Sequence, residues 1–127
     1  MAIFGIGIDI TEVGRIEKAF FRFGDRFRRR IFTENEINFC EKKKEGKFQS
    51  YAARFAAKEA FAKALGTGLR GKISWREIEI IDDEKHRPQI ITKGKAKEYL
   101  GKRNAHLSIS HTADYACAIC LIEEKLP

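Results

Sequence analysis

The sequence predicts an α+β fold with a mostly antiparallel sheet packed against one long buried helix, and three observations carry that reading. Residues 3–11 alternate as a strand, with glycines and Asp9 on one face and Phe4, Ile6, Ile8 and Ile10 on the other. From Phe48 to about Leu65 runs an alanine-rich stretch, apolar nearly all round at helical spacing, which is the pattern of a buried helix. Near the end, HLSISH and YACAICLIEE form two strand-like runs around Thr112, Ala113 and Asp114, as in a hairpin. Strands and helices mix without regular alternation, which argues against a doubly wound parallel sheet. A chain of 127 residues without linker or repeat is expected to be one domain, residues 1–127.

In order along the chain, the stretch IFGIGIDI reads as a buried strand, and Thr11 is placed to cap a helix reaching about Phe23. The basic stretch GDRFRRRIF leads to Thr33, which with Glu36 forms a capping box and opens a helix through about Lys44. The long helix follows and ends at Gly66, and GTGLRGK is a loop. Strands are expected at about 74–82 and 89–92, then a helix over KGKAKEYLGKRN and the terminal hairpin. Cys117 and Cys120 match C-x-x-C, but residues three apart on a strand point to opposite faces, so they read as small buried hydrophobes rather than a redox or zinc pair.

Charge narrows the function. The net charge is +7, and seven basic residues between Gly14 and Arg30 face only two acidic ones. That balance favours an anionic partner. No apolar run approaches membrane-spanning length, and the MAIFGIG start lacks a charged n-region and a small-residue cleavage site. No membrane partner and a cytoplasmic location are therefore expected.

Two carboxylates sit in apolar surroundings. Asp9 lies on the glycine face of the first strand, where glycines mark close approach of a ligand or another backbone. Glu59 lies in a stripe with Ala52, Phe55, Ala56 and Ala62, and Lys63 stands one turn on. A carboxylate away from water needs a cation or hydrogen-bond donors. If Asp9 and Glu59 meet, their like charges call for an intervening cation. Magnesium takes one or two carboxylates and completes its shell with water and phosphate, and Lys63 would face the same phosphate. A simple Glu59–Lys63 helix pair is the bland alternative. His111, ending the L-S-I-S-H-T run, is a further donor to an anionic oxygen or an ordinary strand-end histidine. No Rossmann fingerprint or Walker A sequence is present, and Gly66-Thr67-Gly68 reads first as a helix C-cap.

Taken together, G-I-G-I-D-I-T-E-V-x-R-I at 5–16, R-F-A-A-K-E-A-F-x-K-A-L-G-T-G at 54–68 and S-I-S-H-T at 108–112 resemble the holo-acyl-carrier-protein synthase family, the small 4'-phosphopantetheinyl transferases of fatty acid synthesis. The resemblance covers nearly the whole chain in the family's order. It implies the 4'-phosphopantetheinyl transferase fold and transfer of phosphopantetheine from coenzyme A to a serine of apo acyl carrier protein, releasing adenosine 3',5'-bisphosphate. It implies that Asp9 and Glu59 hold Mg2+, that Glu59 activates the serine directly or through a water, and that Lys63 stabilises phosphate charge. His111, Arg54, Gly66 and Thr67 would contact coenzyme A. Arg15, Arg22 and Arg26 would dock the acidic carrier, while Arg28 to Arg30 read equally well as a solvated basic face. The resemblance further implies a homotrimer with active sites at subunit interfaces. A nucleic-acid-binding module is the competing reading of the basic segment, but Trp75 and the phenylalanines form no stacking row among the basic residues, so no nucleic-acid partner is expected. A carrier of secondary metabolism is a third reading.

Overall fold

The computed structural model describes residues 2–69 and 71–124. Strand β1 (Ala2–Glu12) leads into three short helices, α1 (Val13–Phe23), α2 (Asp25–Ile31) and α3 (Glu34–Glu41). A 3-10 turn at Lys44–Gly46 enters the 19-residue α4 (Lys47–Leu65). A second 3-10 turn (Trp75–Glu77) precedes β2 (Ile78–Asp82) and β3 (Pro88–Thr92), followed by α5 (Gly94–Leu100), β4 (Asn104–His111) and β5 (Tyr115–Glu124). All strand pairs are antiparallel. They form a three-stranded sheet in the order β1-β5-β4 and a separate β2-β3 ribbon.

Helix α4 lies across the three-stranded sheet, and the glycines of β1 explain how closely. A methyl group on Gly5 would collide with the carbonyl oxygen of Ala64, and one on Gly7 with that of Ala60. The glycine face therefore admits the backbone of α4. In register opposite it, Ala116, Ala118, Cys120 and Ile122 of β5 are buried on the same side. One core forms between α4, this sheet face and β2, around Phe61, Ile78, Ile80 and Ile122. A second forms where α1, α2 and α3 meet the first half of α4. There the Tyr51 ring lies 4.6 Å from Phe20 and 4.8 Å from Phe32, centroid to centroid. Thirteen of the 19 residues of α4 are buried, Arg54 and Lys58 among them, in keeping with its apolar circumference.

Several expectations are corrected. The first strand is covered on one face only: Ile6, Ile8 and Ile10 are 55%, 59% and 68% exposed. Thr11 does not cap α1. The strand continues to Glu12, which holds the N-cap position without a side-chain bond, and the Thr11 hydroxyl donates to Asp9 instead. The basic stretch is itself helical, as α2, and the helix from Thr33 stops at Glu41. The capping box at Thr33 forms as expected, with Glu36 answering the Thr33 backbone N–H at 2.9 Å. Residues 75–77 are a 3-10 turn rather than strand, because the Ser74 and Glu77 side chains cap them reciprocally. The helix at 93–104 is shorter, because Gly101, at φ 63°, ends it and frees Asn104 for β4. Cys117 and Cys120 do face opposite ways, Cys120 inward and fully buried, with burial pushing its thiol up to about 12.

Candidate functional site

Period-two alternation puts Asp9 on the face of β1 that carries Gly5 and Gly7 against α4. Its side chain is 16% exposed, and both oxygens are engaged. Oδ1 lies 3.2 Å from the Lys63 Nζ, and Oδ2 accepts from the Thr11 hydroxyl at 2.8 Å. Lys63 Nζ also donates to the Ile8 carbonyl at 3.0 Å. The lysine thus reaches from the last turn of α4 across to the strand, and half of its side chain stays in water.

Glu59, one turn before Lys63, is half-buried. It lines the same cavity as Asp9, a space of about 330 Å³ walled by Thr11, Arg15, Phe27 and Phe55. The two carboxylates that the sequence singles out therefore converge, one from β1 and one from α4. Arg15 faces the same cavity from the first turn of α1. Arg22 and Arg26 lie farther along the basic segment, both exposed, with the Arg22 guanidinium 5.3 Å from the centre of the Phe23 ring.

Arg54 and His111 do not join this cavity. They line a second one of about 640 Å³ with Phe39, Lys43, Ser50 and His86. Arg54 is buried; it donates to the Ser50 hydroxyl at 3.3 Å and stacks over Phe39 at 4.0 Å, while its Nε has no hydrogen-bond partner among the described residues. His111 is the exposed last residue of β4. Gly66 takes the left-handed C-cap of α4 at φ 87°, its N–H bonding to the carbonyls of Ala62 and Lys63. The adjoining Thr67 hydroxyl is buried and has no hydrogen-bond partner among the described residues.

The donor set decides what kind of ion fits. No group of three or more His, Cys, Asp or Glu side chains converges among the described residues. Zinc and calcium generally ask for more protein ligands than this. Two carboxylates on an open cavity, beside a lysine, match a small hard cation that takes the rest of its shell from water and phosphate.

Two features escaped the sequence reading. Thr11 stands two residues from Asp9 on the same strand face, and that spacing alone was enough to pair them. Lys58, next to Glu59 in sequence, points the opposite way and is fully buried. Its amine contacts Glu36 at 2.6 Å and the carbonyls of Ile31 at 2.8 Å and Trp75 at 3.1 Å. Glu36 in turn accepts from the Ile80 N–H at 2.8 Å. Burial pulls the Lys58 amine below its ordinary value, against the opposing pull of Glu36. The signal was a lysine at helical spacing from Phe61 and Leu65, on an apolar face.

Comparison with known proteins shows the family. Residues 5–120 match the 4'-phosphopantetheinyl transferase superfamily. The holo-acyl-carrier-protein synthase of Koribacter versatilis is 48% identical over 125 residues, covering 96% of this chain and 99% of its own. The crystal structure of the holo-acyl-carrier-protein synthase of Bacillus anthracis in complex with CoA (3',5'-ADP) superposes with a TM-score of 0.83 at 41% identity, covering 97% of this chain and 98% of that one. The Neisseria meningitidis structure reaches 0.88 at 36% identity, over 97% and 100% of the two chains. A chain with this fold, these converging carboxylates and this similarity over nearly its whole length belongs to the 4'-phosphopantetheinyl transferase superfamily.

Proposed function

We propose that this chain, as one domain of residues 1–127, transfers 4'-phosphopantetheine from coenzyme A to a serine of apo acyl carrier protein in fatty acid biosynthesis. The observation that carries the proposal is the meeting of Asp9 and Glu59 in one cavity, with Lys63 on Asp9. In the reaction the serine oxygen forms a bond to the phosphorus that carries the pantetheine arm. The bond from that phosphorus to the bridging oxygen breaks, and adenosine 3',5'-bisphosphate leaves.

Asp9 and Glu59 would hold Mg2+, which when bound offsets the charge of the pyrophosphate. Lys63, held at Asp9 and still half in water, places a cation at the edge of the same site, where it stabilises the departing phosphate. Glu59 would take the serine proton, directly or through a water. Thr11 fixes the second oxygen of Asp9. Phe27 and Phe55 narrow the cavity and limit water around it. Arg15, Arg22 and Arg26 present positive charge at and beyond its mouth, which suits the acidic carrier by steering encounter and fixing register.

Arg54 and His111 bind coenzyme A from the second cavity, with Gly66 and Thr67 contributing at the end of α4. Within one chain that cavity is distinct from the one holding Asp9 and Glu59. One coenzyme A can use both if they come from neighbouring subunits, which supports a homotrimer with interface sites. The exposed apolar face of β1 supports the same reading. No helix among the described residues is long and apolar enough to cross a membrane, and we place the reaction in the cytoplasm.

The test is mass spectrometry of apo acyl carrier protein incubated with this chain, coenzyme A and magnesium, beside an EDTA control. A gain of one phosphopantetheine that EDTA abolishes is expected. Asp9→Asn and Glu59→Gln should each lower the rate by about 100-fold or more without unfolding the chain. No mass gain, or full activity in either variant, overturns the proposal.

A further inference from the structure

Three basic residues from three separate elements converge on a cleft that the reaction does not use. Arg30 comes from α2, Lys72 from the loop after α4, and Lys95 from α5. With Leu69, Ile73 and Trp75 they line a space of about 450 Å³. Among the described residues the only acidic side chain on its wall is Glu77. That carboxylate is already committed: it accepts from the backbone N–H groups of Ser74 at 2.8 Å and Lys95 at 2.7 Å. The cleft thus carries an excess of positive charge against an apolar, partly aromatic wall.

Its position gives the charge a direction. Trp75 stacks on Phe55 with ring centroids 4.8 Å apart and planes 23° apart. Phe55 faces the cavity of Asp9 and Glu59, and Trp75 faces the cleft. The two spaces are therefore separated by one aromatic stack. Helix α2 spans both, with Phe27 in the cavity and Arg30 one turn on in the cleft. Its neighbours are spent inside the protein: Arg28 pairs with Asp25 and Glu41, and Arg29 with Asp25 and Glu34.

We propose that the cleft of Arg30, Lys72 and Lys95 is a second contact for the acidic carrier protein, receiving an acidic segment while the carrier's serine enters the neighbouring cavity. The inference rests on the transferase reading. Charge complementarity and continuity with the basic face of α1 and α2 select this occupant. A partner engaged on both sides of the Phe55–Trp75 stack is held in one register over the reacting groups.

The experiment is steady-state transfer, with carrier and coenzyme A varied separately, by the wild-type chain, by Lys72→Glu/Lys95→Glu and by the milder Lys72→Gln/Lys95→Gln. All three residues are exposed, and circular dichroism with thermal melting checks that the variants fold. The glutamate pair should raise the KM for carrier by about tenfold and the glutamine pair by less, with kcat and the KM for coenzyme A unchanged. The wild-type dependence of carrier KM on salt should flatten in both variants. An unchanged carrier KM overturns the proposal. So does a raised KM for coenzyme A, which would make the cleft part of the nucleotide site. Inorganic phosphate that raises the wild-type melting temperature but not that of the variants would make it a small-anion site and also overturn it. Wild-type turnover is the control for the underlying reading: if that chain transfers nothing, both proposals fall, whereas a defect confined to the carrier KM of the variants speaks for the cleft alone.

Discussion

The buried hydroxyl of Tyr51 donates to Glu41 at 2.6 Å, joining the first turn and a half of α4 to the end of α3. Burial and the facing carboxylate push the Tyr51 phenol up, so it stays a donor throughout the physiological range. For Glu41 burial acts to raise the pKa, but the Tyr51 hydroxyl, Lys47 and Arg28 outweigh it and hold the carboxyl below its ordinary 4.5. A carboxylate depressed in the folded state contributes stability above its unfolded value and loses it as pH falls through the folded one. Tyr51→Phe should therefore cost about 1 kcal/mol at neutral pH, a modest figure because Glu41 is partly exposed and keeps its other cations. The deficit should shrink below about pH 4.5. Urea unfolding of both proteins at pH 7 and pH 3.5 checks this; an equal deficit at both values would mean that the ring's packing, not the bond, is at stake. Cys40 shows the opposite balance: burial outweighs the bond to Ser50 and the nearby Arg54, and pushes its thiol up to about 11, which keeps it protonated at neutral pH.

Among the elements, the pairing of β1 with α4 matters most, because each supplies one carboxylate. The distance between them is set by Gly5 and Gly7 on the strand and by Ala60 and Ala64 on the helix. Gly7→Ala places a methyl group against the Ala60 carbonyl, with the Lys63 Cβ only 2.9 Å away. The strand must then lift from the helix or the helix must shift. A cost of about 1–3 kcal/mol in stability is expected, together with a loss of transfer larger than the melting shift alone explains, since Asp9 moves relative to Glu59. Thermal melting and carrier turnover measured on the same preparation test this. On the opposite side of α4, Lys58 fastens α2, α3 and the turn before β2 to the helix. Glu59 is thus carried on a helix tethered along both flanks, which limits how far it can drift from Asp9.

For the whole molecule, the feature that stands out is an uncovered apolar sheet face. Phe4, Ile6, Ile8 and Ile10 of β1 lie beside Ile119 of β5, all at least 40% exposed in the single chain. Such a face needs covering in water. In the homotrimer proposed above, Ile8→Glu would place a carboxylate in that contact and should convert a trimer into monomers by light scattering. Turnover should fall with it, because the cavity proposed for coenzyme A and the carboxylate cavity would no longer meet. A trimer that survives the substitution places the subunit contact elsewhere.

The sequence by itself determined the α+β class, the long buried helix, the Thr33–Glu36 capping box and the opposed faces of Cys117 and Cys120. Each follows from short-range periodicity or from a side chain bonding its own local backbone. It also marked Asp9, Glu59 and Lys63, since a carboxylate among glycines or alanines is out of place without a partner, and the quoted motifs pointed to the family. Tertiary structure decided the rest. Alternation along β1 names two faces but not which is covered, and only the position of α4 left the isoleucines outward. Composition cannot assign a partner to a lysine, so Lys63 on Asp9 and Lys58 on Glu36 emerged only when strands and helices distant in sequence were packed together. The same packing put Arg54 and His111 in a cavity apart from Glu59, because α4 presents Arg54 and Glu59 on different sides, the first toward α3 and β4 and the second toward β1 and α1.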